Sequence, residues 1–189
     1  MKVTPKILDA VKIATRAHRH QNRKATDTPY IVHPYSVMLI ASQVTDDEDT
    51  LIACLFHDIL EDVSAEYPES KMLDEFGDSV VTIVKGVTKD DSILGWQPRS
   101  EAYLATLKNI APDESVIVAA ADKIHNLTTI IEDYPKQGEN FWNRFGSGQS
   151  QQIWFYQQSL EVVKQRIPDL PLVVWLENLL GELNRLVAK

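Results

Sequence analysis

The sequence sets an imidazole beside a carboxylate at His57-Asp58 and follows them with an acidic pair, Glu61-Asp62. On a helix, Glu61 lies one turn beyond His57 and Asp62 one turn beyond Asp58, so one imidazole and three carboxylates line adjacent rows of one face. The preceding run, Leu51-Ile52-Ala53-Cys54-Leu55-Phe56, is apolar on every side and reads as buried all round. Crowded carboxylates repel, and buried charges need partners; a divalent cation would meet both needs. The plainer alternative is the wet face of an amphipathic helix. A second site repeats the pattern, with the apolar run Val116 to Ala121 ending in Asp122-Lys123-Ile124-His125-Asn126. A salt bridge from Asp122 to Lys123 or to an arginine is its plainer reading. His33 follows Tyr30-Ile31-Val32 and opens a third helix, where a hydrogen-bonded core histidine is the ordinary alternative. Together His33, His57, Asp58 and Asp122 make a mixed imidazole and carboxylate set. Such a set suits Mn2+, Fe2+, Co2+ or Zn2+, with positions left open for water. The single cysteine, Cys54, rules out a disulfide framework and a Cys-ligated zinc site by count.

These side chains need elements to hold them, and helical periodicity dominates the chain. Ile7, Ala10, Val11, Ala14, Ala17 and His18 recur at helical spacing and predict a first helix, with Asn22 to Pro29 as a loop. Pro34 sits where the next helix can begin, and Val37, Ile40, Ala41 and Val44 form its stripe. Asp46-Asp47-Glu48-Asp49 matches the positive end of a helix dipole, and that helix is expected to run unbroken through Leu51 to about Asp62. Two short helices, 71–76 and 79–87, flank Gly77; 89–98 reads as loop and 100–110 as helix. A helix from Pro112 to about Asp133 carries Asp122. Residues 138–148 read as irregular, and 153–167 and 172–187 as the last two helices. No alternating apolar pattern is sustained. The expectation is therefore one all-α domain over residues 1–189, with a motif-bearing core at about 5–133 and the helices of 150–188 packed on it.

Composition narrows the function. Of 189 residues, 44% are hydrophobic and 24% charged, an ordinary globular balance. Charges interrupt the N-terminal segment, and the longest uncharged stretch, 28–45, is broken by prolines and polar residues, so neither a signal peptide nor a membrane span is expected. A soluble cytoplasmic protein is the expectation. The net charge of −8 disfavours a nucleic-acid polymer as partner. Yet residues 10–26 hold Lys12, Arg16, Arg19, Arg23 and Lys24 with no acid, leaving −13 for the rest. A local basic segment on an acidic chain suits a small anionic ligand, or else is a solvated helix face and loop.

The order His, His-Asp, Asp on successive helices resembles the HD metal-dependent phosphohydrolase superfamily. Ala17-His18-Arg19-His20-Gln21-Asn22-Arg23-Lys24 and Pro29-Tyr30-Ile31-Val32-His33-Pro34 resemble the opening of RelA/SpoT-type alarmone hydrolase domains. So do Ala53 to Asp62, Glu75-Phe76-Gly77, Gly86-Val87-Thr88-Lys89 and Ala121 to Leu127, and the likeness spans residues 10 to 130. The resemblance implies a single HD-type helical bundle of the small, stand-alone hydrolase type. It implies His33, His57, Asp58 and Asp122 as ligands of one divalent metal, typically Mn2+, with Zn2+, Fe2+, Co2+ or Ni2+ as alternatives. It makes Glu61 and Asp62 the pair that orients and deprotonates the attacking water. It makes Arg23 the arginine that packs on the nucleotide base, with Lys24 beside it, and Asn126 the asparagine that helps hold the nucleotide. The implied reaction is hydrolysis of the 3′-diphosphate of (p)ppGpp to pyrophosphate and GDP or GTP. A homodimer is left open.

The sequence departs from that pattern at Ala25-Thr26-Asp27-Thr28, at Val63-Ser64-Ala65-Glu66 and at Ala119-Ala120-Ala121, which lacks the family lysine. These departures keep two alternatives: an HD phosphohydrolase of another nucleotide or small phosphorylated metabolite, and a non-catalytic nucleotide-binding protein with the same fold. His18, His20 and His125 are read as supporting or structural residues rather than as ligands. Phe141, Trp142, Phe145, Trp154, Phe155 and Tyr156 are read as core packing. Arg99 and Tyr103 are candidates to reach phosphate.

Overall fold

The computed structural model describes residues 1–24 and 26–188, so Ala25, in the departing loop, lies outside the described residues. Helix α1 (Pro5–Ala17) starts where the Thr4 side chain accepts the Ile7 N–H and Pro5 fills a position that needs no N–H. It buries Ile7, Ala10, Ala14 and Ala17. The loop that follows is pinned by an antiparallel bridge between Asn22 and Pro29, with the Tyr30 N–H donating to the Gln21 carbonyl at 2.9 Å. Helix α2 (Val32–Ala41) leads to α3 (Glu48–Phe56), whose first turn is capped by Asp47: Oδ2 accepts the Thr50 N–H at 2.8 Å. Every residue of α3 from Thr50 to Phe56 is buried, as its apolar run predicts.

The expected unbroken helix to Asp62 is instead two helices. α3 ends at Phe56, and α4 (Ile59–Asp62) begins after a turn at His57-Asp58. α5 (Glu69–Phe76) and α6 (Asp78–Val87) meet at Gly77, whose φ of 88° lies in the region that favours glycine. α7 (Trp96–Asn109) begins earlier than expected, because Pro98 falls in the first turn, where a missing N–H costs nothing. α8 (Asp113–Gln137) runs past Pro135, which sits in its last turn and has no N–H to give the Ile131 carbonyl. A 3₁₀ helix, Gly138–Arg144, occupies part of the segment read as irregular. α9 (Gly148–Arg166) and α10 (Pro171–Val187) complete the chain. Among the described residues there is no strand, and no helix is long and apolar enough to cross a membrane.

α8 is the axis of the bundle. α2, α3, α6, α9 and α10 all pack against it. Its central run from Val118 to Ile124 is buried, and the three alanines Ala119 to Ala121 leave little bulk between its backbone and its neighbours. α10 buries Leu172, Leu176, Leu180 and Leu183. The last two helices thus pack on the motif-bearing part, α10 on α8 and α9 on both α7 and α8. Asp122 is carried on this buried stretch of the axial helix.

Candidate metal centre and active site

The turn between α3 and α4 aims two side chains at one point. Asp58 leaves helical geometry at φ −97° and ψ −4°, in the sparsely populated bridge region where active-site residues often sit. His57 lies with Nδ1 2.8 Å from the Cys54 carbonyl. A carbonyl only accepts, so Nδ1 carries the proton and Nε2 faces the site. That Nε2 lies 3.2 Å from His33 Nε2 and 3.0 Å from Asp58 Oδ2. His33 Nε2 is 3.5 Å from Asp58 Oδ2 and 3.1 Å from Asp122 Oδ1, and the latter oxygen is 3.9 Å from His57 Nε2. Side chains from α2 and the α3–α4 turn therefore converge, with Asp122 of α8 turned toward both imidazoles. His33, His57 and Asp58 form a group of potential metal-binding atoms all within 4.8 Å of one another.

Charge and donor chemistry fit a divalent cation. Burial opposes ionisation of Asp58 and Asp122, but His57 and His33 hold Asp58 well below the usual carboxylate range, and Lys123 and His33 do the same for Asp122. Burial alone would lower the His57 pKa; the neighbouring Asp58 and Asp122 overcome it and raise it to about 9. Two enclosed, ionised carboxylates thus face a protonated imidazole in a place that a divalent cation would suit. Supporting contacts fix the set. Tyr30 donates its hydroxyl to Asp58 Oδ2 at 2.6 Å. His33 Nδ1 lies 2.7 Å from His125 Nδ1, so with Nε2 free to ligate, His33 donates and His125 accepts. Burial, then the charge of His33, lower the His125 pKa to about 4, consistent with a neutral acceptor. Asn126 donates to Asp122 Oδ1 at 2.5 Å.

The ligand set, the acid pair, Arg23, Lys24 and Asn126 expected from the sequence all line a single cleft of about 310 Å³. Glu61 Oε2 accepts the Lys89 N–H at 3.3 Å. Burial, then the charges of Asp58 and Glu61, raise the Asp62 pKa to about 6, with Gln21 and Lys24 pulling the other way. Arg23 donates to Asn126 Oδ1 at 2.9 Å, and its guanidinium lies 5.6 Å over the Tyr30 ring. Lys123 forms the ion pair with Asp122 that the plainer reading of the sequence names, at 2.5 Å, while Asp122 still faces the cluster.

Some expectations need correcting. Arg99 turns away from the cleft, pairing with Asp91 at 2.8 Å and with the Ile93 carbonyl. Tyr103 does line the cleft. The aromatic segment is not packing alone: Phe141, Phe145, Phe155 and Tyr156 form a cleft wall, whereas Trp142 packs on Tyr134 and Trp154 on Trp96. Tyr30 and Lys89 were present in the sequence only as letters of longer motifs, with nothing in their spacing to assign them a role. Arg144, stacked 4.0 Å over Phe141, had no sequence signal at all.

The HD domain family matches residues 10–146. The chain is 32% identical over 182 residues, 95% of its length, to a Streptomyces coelicolor protein named GTP pyrophosphokinase, of which it covers 21%. It is 37% identical over 122 residues, 64% of its length, to a guanosine-3′,5′-bis(diphosphate) 3′-pyrophosphohydrolase from Aquifex aeolicus, of which it covers 17%. The chain thus spans about a fifth of the length of these curated relatives. In fold it is similar to a solved metazoan orthologue of SpoT that hydrolyses ppGpp, with a TM-score of 0.80 at 24% identity and 99% of both chains covered. With residues 10–146 matched and His57-Asp58 at the turn that aims the cluster, this chain belongs to the HD domain family.

Proposed function

We propose that this chain is a metal-dependent phosphohydrolase that removes the 3′-diphosphate of (p)ppGpp as pyrophosphate, leaving GDP or GTP. The observation that carries the reading is the meeting, in one cleft, of the His33, His57, Asp58 and Asp122 donor atoms with an acid pair and a cationic rim. The names of relatives that cover the same stretch support the substrate. Mn2+ is the ion we favour for two imidazoles and two carboxylates. A cation held there would polarise a phosphoryl oxygen and make adjacent water more acidic.

The chain's own residues supply the rest. Glu61, fixed by the Lys89 N–H, orients the water. Asp62 accepts its proton as the water oxygen attacks the phosphorus joined to the ribose 3′ oxygen. The bond from that phosphorus to the 3′ oxygen breaks, the pyrophosphate keeps the water oxygen, and the ribose oxygen takes a proton back from the acid pair. Arg23, held flat by Asn126 and Tyr30, offers a planar cation for the base to stack on, while Lys24 offsets phosphate charge at the rim.

The test is incubation of the protein with (p)ppGpp at fixed Mn2+ and after chelation, with products resolved by anion-exchange chromatography. Pyrophosphate and GDP or GTP are expected only with metal. Orthophosphate released from nucleoside monophosphates, with (p)ppGpp untouched, would sink the substrate assignment.

A further inference from the structure

Two lysines face the same pair of rings in the cleft. The Lys89 ammonium lies 5.1 Å over Phe155 and 5.7 Å over Tyr103; that of Lys123 lies 5.1 Å and 5.3 Å over the same two. Lys123 is already paired with Asp122. Lys89 has no ion-pair partner among the described residues, although its side chain borders the cleft. Burial and the nearby charge of Lys123 both work against its ammonium and lower its pKa, so the corner holds a cation short of a counter-ion. An anion in the cleft would complete it. The Lys89 N–H also holds Glu61, which sets this corner beside the acid pair, while Lys123 sets it beside the far oxygen of Asp122. A monophosphate ester carries one phosphoryl group, which the cluster and the acids would engage. A diphosphate carries a second phosphoryl group one bridging oxygen farther on, still charged and in need of a cation.

We infer that Lys89, with Lys123 beside the same Tyr103 and Phe155 rings, holds the distal phosphoryl group of a diphosphate ester and so selects diphosphates over monophosphates. This rests on the phosphohydrolase reading of the cleft. Lys89→Met keeps the stem and removes the charge, and Lys89→Arg restores it. Calorimetry at matched free Mn2+ would use inorganic pyrophosphate and inorganic phosphate as probes. Pyrophosphate affinity is expected to fall about tenfold or more in Lys89→Met. It should return to within about threefold of wild type in Lys89→Arg, with phosphate affinity, metal content and Tm little changed. In turnover, KM for (p)ppGpp rises more than kcat falls. Unchanged pyrophosphate affinity in Lys89→Met overturns the inference, as does an equal loss for phosphate. If pyrophosphate binds through Lys89 but (p)ppGpp is left intact, the proposed reaction fails and the inference stands. If turnover is normal but binding ignores Lys89, only the inference fails.

Discussion

His57 commits Nδ1 to the Cys54 carbonyl, so Nε2 alone gains or loses charge at the cluster. With its pKa raised to about 9, that nitrogen carries a proton at neutral pH in the metal-free protein. Metal must expel it. The competing proton is more abundant at low pH, so Mn2+ affinity is expected to rise up to about tenfold per pH unit until about pH 9 and then level off. Titration calorimetry in buffers of differing ionisation enthalpy would also count the released proton; a flat profile with no release would remove His57 from the ligand set. Asp62 is the second titrating group. Its pKa of about 6 means it is a ready base above that pH and protonated below it, so kcat/KM should fall on the acid side of about pH 6, or lower once a cation adds its field. Asp62→Asn and Glu61→Gln should each lower kcat by about 10²- to 10⁴-fold while metal stoichiometry stays at the wild-type value. Loss of the metal in either variant would move that residue from the chemistry into the ligand set.

Among the elements, α6 lies tight against Ser115 of α8 at Gly86. A Cβ there would stand 2.9 Å from Ser115 Cβ and 3.0 Å from Ala111 Cβ, in a contact already set by the Ser115 hydroxyl donating to the Ile83 carbonyl at 2.8 Å. Gly86→Ala should therefore destabilise by about 1–3 kcal/mol, read as a lower urea midpoint at unchanged slope. An unchanged midpoint would mean that the two helices part freely. The stripes of α1 and the wholly apolar α3 run are legible in the sequence because burial imposes a period that residue types record. The bend at His57-Asp58 is not. It depends on a histidine bonding back to a carbonyl three residues earlier, and periodicity carries no trace of that. The same limit explains the aromatic segment: a ring lining a cleft and a ring filling a core have the same composition, and only Phe141, Phe145, Phe155 and Tyr156 turn out to border the open space. The four presumptive ligands were legible because imidazoles and carboxylates next to apolar runs are rare without a partner. Lys89 was not, since a lysine after a helix reads as a solvated end.

At the scale of the whole molecule, the cluster joins parts of the chain that lie far apart in sequence. His33 comes from α2, His57 and Asp58 from the α3–α4 turn, and Asp122 from the middle of the axial helix α8. An unfolded chain has no such arrangement, so a bound ion stabilises the native state alone. At a metal concentration about 100 times Kd the gain is about 2.7 kcal/mol. For a chain of this size that raises Tm by roughly 5–11 °C, reversed by chelator. Asp122→Ala supplies the control, but its baseline needs care: it strands the buried Lys123 ammonium, and so lowers Tm before any metal is added. The informative quantity is the metal-induced increment, which should vanish in Asp122→Ala and persist in Glu61→Gln. An increment that survives in Asp122→Ala would mean that the ion is held by His33, His57 and Asp58 alone, and that Asp122 serves instead to hold Lys123 and Asn126 in place.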